Sequence, residues 1–168
     1  MSGLVEAIHL RPAARMPTRS VASALAIQQR GLVGDHAGTG RREITLVSRE
    51  AWDAVCAELG RSLDPAVRRA NLVVSGLPLG ELIGQCLTIG QVRIELVGET
   101  RPCELMDDLG GVGLCAALRP ERRGGVHGRI LAGGTIAVGD VVAVDLATRD
   151  RADSMVRDGR GVSPPQGT

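Results

Sequence analysis

Short runs in which apolar and polar residues alternate dominate the chain, and helical spacing is confined to brief stretches. Residues 3–10 alternate partly and are followed by Pro12 and Pro17, which predicts an opening strand that breaks into a loop. Residues 18–30 fit a helix or a strand, and a strand is expected near 25–30, ahead of Gly31. Glu43-Ile-Thr-Leu-Val47 is a short β-branched run. Ser48 then carries an N-capping side chain, Glu50 falls in the first turn and Gly60 supplies a stop. A helix is therefore predicted to about Leu59, with Trp52, Val55, Cys56 and Leu59 on its packed face. Residues 71–74 read as a buried strand. Residues 86–89 and 92–97 alternate about Gly90 and predict a hairpin with one face on the core. The same pattern in 134–138 and 141–144, about Gly139-Asp140, predicts a second hairpin. The expected fold class is mainly β with peripheral helices, an α+β arrangement in which strands form a closed or nearly closed barrel.

Length sets the domain plan. The 168 residues suit one compact domain. Residues 1–146 are assigned to it, and the polar, proline-containing residues 147–168 are expected to form a flexible tail. The chain has no apolar run near the roughly 18 to 20 residues that a bilayer span requires. An acid, Glu6, stands where a secretory leader needs basic and then apolar residues. A cytoplasmic location and no membrane partner are the expectations.

Charge narrows the chemistry further. All 20 basic residues are arginine, so a lysine Schiff base, and with it pyridoxal phosphate catalysis, is excluded. Arginine forks suit phosphate and carboxylate, which makes the set compatible with an anionic ligand, although a compositional bias is the simpler explanation. A net charge of +1 and a single aromatic residue, Trp52, provide neither the basic field nor the stacking platforms of a nucleic-acid binder. Cys56, Cys86, Cys103 and Cys115 form no CxxC pair, and reduced thiols are expected.

Among these thiols Cys103 has the most suggestive setting. Residues 97–108 leave a strand and enter a predicted short helix, with Pro102 suited to its first position and Cys103 in its first turn. Unpaired backbone N–H groups, the helix dipole and nearby Arg101 would favour a thiolate, the form that binds metal or attacks sulfur. The alternative, a small buried hydrophobe, describes Cys56, Cys86 and Cys115 well. Gly34-Asp35-His36 and Arg42 bound a glycine-rich segment that is either an anion cradle or an ordinary loop. It is no Walker loop, since its spacing fails and lysine is absent. Arg69 and Asn71, beside Arg68, offer forks and an amide to a polar heterocycle, or else they are solvated surface charge. His127 and Arg129 alternate and would share one side of a strand. A metal site from Asp35, His36 and His127 competes with the simpler reading of structural, hydrogen-bonding histidines.

In combination, these segments resemble the MOSC domain, the module named after the C-terminal part of molybdenum cofactor sulfurase. The resemblance runs from about residue 3 to 145. It rests on Gly31-Leu-Val-Gly-Asp-His-Ala-Gly38 with Arg42-Glu-Ile-Thr-Leu-Val47, on Arg69-Ala-Asn-Leu-Val-Val-Ser-Gly76, and on Leu82-Ile-Gly84 with Leu87-Thr-Ile-Gly90. Arg101-Pro-Cys103, Gly124-Gly-Val-His-Gly-Arg129 and Gly133-Gly-Thr-Ile-Ala-Val-Gly-Asp140 complete it. The resemblance implies a MOSC-type β-barrel that binds molybdenum cofactor (molybdopterin) across the barrel mouth, with Cys103 as catalytic thiol and metal ligand. The cofactor-binding residues on that reading are Gly34, Asp35, His36, Arg42, Arg69, Asn71, Arg101, His127 and Arg129. Reducing members of the family would imply N-hydroxylated substrates and a separate electron-donor protein. Two alternatives share the same residues. One is a sulfur carrier that receives a Cys103 persulfide from a sulfur-donor protein, and the other is a non-catalytic pterin-binding module.

Overall fold

The computed structural model describes residues 1–36 and 42–146. In chain order its elements are β1 (Ser2–Leu10), β2 (Arg19–Val21), β3 (Ser23–Ile27), β4 (Gly31–Leu32), β5 (Ile44–Ser48), α1 (Arg49–Leu59) and β6 (Leu72–Ser75). There follow β7 (Cys86–Ile89), β8 (Val92–Glu99), α2 (Leu105–Gly110), α3 (Leu114–Leu118), β9 (Val126–Ala132), β10 (Gly134–Ala137) and β11 (Val141–Asp145). Strands β11, β7, β8, β9, β5, β6 and β1 lie side by side in that order, and β1 pairs back onto β11, so seven strands close a barrel. Closure removes the free sheet edges that seven short strands would otherwise expose. Only the β5–β6 pairing within the barrel is parallel, and a parallel pair needs a long crossover, supplied here by α1 and residues 60–71. β2 extends β1 outward, and β10, β3 and β4 form a small second sheet.

Period-2 alternation decides which side chains fill the barrel. On β8, Val92, Ile94 and Leu96 are buried while Arg93 between them is exposed. Branched aliphatic residues such as Ile8, Ile44, Leu72, Leu87 and Ile130 complete an interior that contains no aromatic ring. Trp52 is spent elsewhere. With Val55 on α1 it packs against Met106, Leu114 and Leu118, fastening α1 to α2 and α3 outside the barrel, and its Nε1 donates to Leu63 O at 2.8 Å.

The predicted helix is present as Arg49–Leu59. Ser48 Oγ accepts from Ala51 N at 3.2 Å, and Gly60 closes the helix in the left-handed region at φ 64°. The hairpin about Gly90 also forms. The second predicted hairpin does not. Residues 137–140 do turn, with Ala137 N donating to Asp140 Oδ2 at 2.8 Å, but β10 pairs with β3 while β11 pairs with β7 and β1. Alternation reports a buried face and says nothing about which strand lies alongside, so the same pattern here marks a crossing from one sheet to the other. The strand expected near 25–30 lies at Ser23–Ile27, because residues 28–30 turn, with Arg30 N donating to Ile27 O at 3.1 Å. The predicted tail, 147–168, lies outside the described residues, as do 37–41 of the glycine-rich segment. No helix among the described residues is long and apolar enough to cross a membrane.

Candidate functional site

Arg11, Arg42, Arg68, Arg69, Arg101 and Cys103 gather around one cavity of about 190 Å³. Thr45, which alternates along β5 with the core residues Ile44 and Leu46, faces outward into it. The cavity therefore lies against the outer wall of the barrel, not across its mouth. It is bounded on one side by the end of β1 and residues 68–70, and on the other by residues 100–106 and Gly124.

Cys103 is exposed on the rim. The predicted helix begins later than expected, at Leu105, and Cys103 stands two residues ahead of it with its carbonyl accepting from Met106 N at 2.9 Å. Pro102 lies in the irregular segment between β8 and α2 rather than opening the helix, so the thiol is offered by a loop and not by the first helical turn. Arg68 holds that loop in place. Its Nε donates to Gly124 O at 2.6 Å and its Nη2 to Thr100 O at 3.0 Å, which staples the end of β8 to the start of β9. Burial lowers the Arg68 pKa to about 10; the Cys103 and Cys115 side chains oppose the drop, and Arg11 and Arg42 add to it. The guanidinium stays protonated at neutral pH and puts fixed positive charge beneath the cavity.

Arg11 is oriented from behind. Its Nε and Nη2 donate to the two Asp35 oxygens at 3.1 and 2.7 Å, and its backbone N–H donates to Asp35 Oδ1 at 2.7 Å. Burial alone would raise the Asp35 pKa, but these bonds and the Arg11 charge outweigh it and hold the carboxyl below its ordinary value. Asn71 is fully buried behind the same wall. Its Oδ1 accepts from Thr45 N, Thr45 Oγ1 and Arg11 Nη2 at 3.1, 3.2 and 3.2 Å, and its Nδ2 donates to His9 O at 3.2 Å. Asp35 and Asn71 thus position Arg11 and Thr45 and line no part of the cavity. Gly34, at φ 90°, makes the turn that delivers Asp35. His36 is exposed, and its backbone N–H donates to Arg11 O at 2.7 Å. Among the described residues no group of three or more His, Cys, Asp or Glu could hold a metal ion, so the Asp35, His36 and His127 trio is not assembled.

Arg69 sits in the left-handed region at φ 64° and donates to the carbonyls of Met16 and Ala13, pinning the loop after β1 against the cavity. Arg42 and Arg101 are the exposed members of the set, and Arg101 is only loosely paired, 3.9 Å from Glu99. His127 lies directly across from Thr45 on β9 and beside Gly98 on β8, where a methyl group on Gly98 would stand 3.0 Å from the ring. Burial, then nearby Arg42, lowers its pKa, with the Glu99 backbone opposing, so the imidazole is neutral at pH 7. Arg129, two residues on, pairs with Glu95 at 2.5 Å and borders a different cavity with Gln28, Gln29 and Glu43. The structure therefore brings Arg42, Arg69, Arg101 and Cys103 together, places His127 alongside, and sets Arg129 apart.

Sequence reading missed Arg11, Thr45, Arg68 as a buried residue, and Thr100. Arg11 directly follows β1 and precedes Pro12, a signal of a strand end that gave no hint of its partner 24 residues away. Thr100 Oγ1 is buried and has no hydrogen-bond partner among the described residues, at the cavity wall. Such an atom is costly unless a ligand or water completes it. Together with five guanidinium groups and a soft thiol on the rim, it suits a phosphate-bearing cofactor that also presents a thiophilic metal.

The MOSC domain family profile matches residues 33–143, and the chain belongs to that family. Solved structures share its fold. YuaD from Bacillus subtilis is 20% identical, with a TM-score of 0.70 over 84% of this chain and 94% of that one. YiiM from Geobacillus stearothermophilus is 16% identical, with a TM-score of 0.71 over 94% and 86%, and YiiM from Escherichia coli is 16% identical, with a TM-score of 0.69 over 86% and 70%. A search among curated protein sequences finds no match.

Proposed function

We propose that the cavity binds molybdenum cofactor, with Cys103 as the protein ligand to the metal, and that the loaded protein reduces N-hydroxylated compounds with electrons from a separate donor protein. The observation that carries this reading is the exposed Cys103 thiol on the rim of a cavity shared by five arginines. When bound, the cofactor supplies the metal centre at which two electrons and two protons convert N–OH to N–H and water. Arg42 and Arg101, exposed at the cavity, meet the cofactor phosphate, where a guanidinium fork makes paired, charge-assisted hydrogen bonds. Arg11, locked by Asp35, and Arg68, locked by two carbonyls, contribute fixed charge without having to reorganise. Thr100 Oγ1 and Thr45 supply neutral polar contacts at the wall. Arg68 also fixes the loop from which Cys103 projects, so thiol and charge are held in register.

The test is the pterin content of protein made in a host that synthesises the cofactor. Wild type should release fluorescent pterin in near-stoichiometric amount, and the Arg42→Ala/Arg101→Ala double variant should retain about a tenth or less. Undiminished pterin in the double variant would contradict the phosphate assignment.

A further inference from the structure

A separate cavity of about 340 Å³ is lined by Gln28, Gln29, Glu43, Arg129, Ile130 and Leu131, and it shares no residue with the cavity at Cys103. Glu43 sets its chemistry. The residue stands just before β5 and extends that strand's ladder onto β9, its N–H donating to Gly128 O at 3.0 Å. Its side chain is held in the wall, with the residue only 4% exposed. Oε2 accepts from Gln29 N at 3.1 Å and from Ile130 N at 2.8 Å, which clamps the turn after β3 to the end of β9. The clamp holds Gln29 in the left-handed region at φ 65°, an unfavourable conformation for a residue other than glycine. Oε1 accepts no hydrogen bond from any described residue, and Glu43 forms no ion pair among them. Arg129, the one cation lining the cavity among the described residues, is already engaged by Glu95, which accepts from its Nε and Nη2 at 3.1 and 2.5 Å. A clamp alone would need only the oxygen of a glutamine, which accepts the same two bonds without carrying a charge inside. A buried carboxylate with one oxygen free and no counter-charge is instead costly until a cation meets it.

We propose that this cavity is a second binding site, for a primary ammonium group, with Glu43 Oε1 as its acceptor and counter-charge. The number of free acceptors selects the cation. A guanidinium seeks two carboxylate oxygens side by side, and Oε2 is already occupied by two backbone N–H groups. An ammonium is a compact charge with three rotatable donors, so one oxygen serves it. The exposed Gln28 and Gln29 side chains, which line the same cavity, offer amide oxygens to its remaining N–H groups. Leu131 shares the outer face of β9 with Arg129 and is 36% exposed, which gives a short alkyl body an apolar wall. The volume lies at the lower end of small-ligand sites, so the body is a few carbons long. The assignment is independent of the cofactor reading, because none of these residues lines the cavity at Cys103.

The test is a titration of the full chain, labelled with nitrogen-15, with n-butylammonium chloride at constant ionic strength, read from the amide shifts of Gln29 and Ile130. Wild type should bind with a Kd of about 1 mM or tighter, and tetramethylammonium, which has the same charge and no N–H, should bind at least about fivefold more weakly. Glu43→Gln keeps an oxygen for both backbone N–H groups and removes the charge, so it should melt close to wild type and bind n-butylammonium at least about tenfold more weakly. No binding by wild type up to about 20 mM, equal affinity in Glu43→Gln, or equal affinity for tetramethylammonium would each overturn the assignment. Should Glu43→Gln fail to fold, Arg129→Ala decides. Removing that guanidinium and freeing Glu95 should tighten n-butylammonium binding about threefold, and unchanged or weaker binding would overturn the assignment. A capped Gly-Lys-Gly peptide separates the two sources of such a group. Binding weaker than that of n-butylammonium assigns the site to a free amine, whereas equal or tighter binding assigns it to a lysine of a partner protein, and either supports Glu43 as the ammonium acceptor.

Discussion

Asp35 holds Arg11 twice, once by the guanidinium at 2.7 Å and once by its own backbone N–H, also at 2.7 Å. The acid is almost completely buried while the arginine side chain is 15% exposed at the cavity, so the pair converts a flexible cation into a fixed one. Asp35→Ala would leave Arg11 without that partner and is expected to destabilise the fold by about 3 kcal/mol. It should weaken inorganic phosphate binding as well, and urea unfolding with phosphate titration on the same variant checks both. Lost stability with phosphate affinity intact would place Arg11 outside the anion site.

Two groups give the fold separate acid sensitivities. Burial lowers the His9 pKa from 6.5, against opposing effects of the Ala70 backbone and Asp64, and its Nδ1 has no partner among the described residues. In the unfolded chain the imidazole binds a proton more readily, so the fold keeps this stability above pH 6.5 and loses it as pH falls below. Asp35, held below its ordinary 3.8, keeps its contribution above that value and loses it only in stronger acid. Unfolding free energies between pH 7.5 and 5 should decline in wild type and flatten in His9→Leu. His127, half-buried and shifted the same way, leaves a residual slope.

Much of the barrel was legible because one-sided burial writes alternation into each strand. Helix α1 was legible to the residue because Ser48 and Gly60 are local signals that need no tertiary context. The failed hairpin about Gly139 shows the limit, since β10 and β11 carry the right pattern and find different neighbours. The site divides in the same way. Cys103 and Arg101 were visible through Pro102, although the helix start two residues later was not. Arg68 looked like surface charge, because its partners, the carbonyls of Thr100 and Gly124, are backbone groups 32 and 56 residues away and carry no side-chain signature. Arg129 was grouped with His127 by alternation and by the resemblance of Gly124–Arg129 to the family pattern. It does share that face of β9, and Glu95 holds it away from the cavity.

Arg68 should prove irreplaceable by lysine. A lysine keeps the charge but has no planar fork to reach both carbonyls, so Arg68→Lys is expected to lose about 1 to 3 kcal/mol of stability. It should also speed alkylation of Cys103 by loosening its loop, as timed thiol labelling would show. Unaltered labelling and melting would remove Arg68 from the positioning of the thiol.

Gly125 packs against the β5 backbone at φ 98°, and a methyl group there would run into the Leu46 carbonyl. Gly125→Ala is expected to cost about 3 kcal/mol or more from strain and clash combined. Gly90→Ala, equally left-handed at φ 58° but with open space around it, should cost only about 1 kcal/mol. Thermal denaturation of the two variants side by side separates contact from conformation, and equal losses would contradict the packing described for Gly125.

The most direct measurement is the molybdenum content of wild type and Cys103→Ser, both purified from a host that makes the cofactor and both assayed for released pterin. Near-stoichiometric molybdenum and pterin in wild type, with the metal lost or depleted about tenfold in the variant, is the expected result. Wild type that carries neither metal nor pterin, or a Cys103→Ser protein that keeps full metal and full reductase activity, would contradict the assignment of Cys103 as the metal ligand.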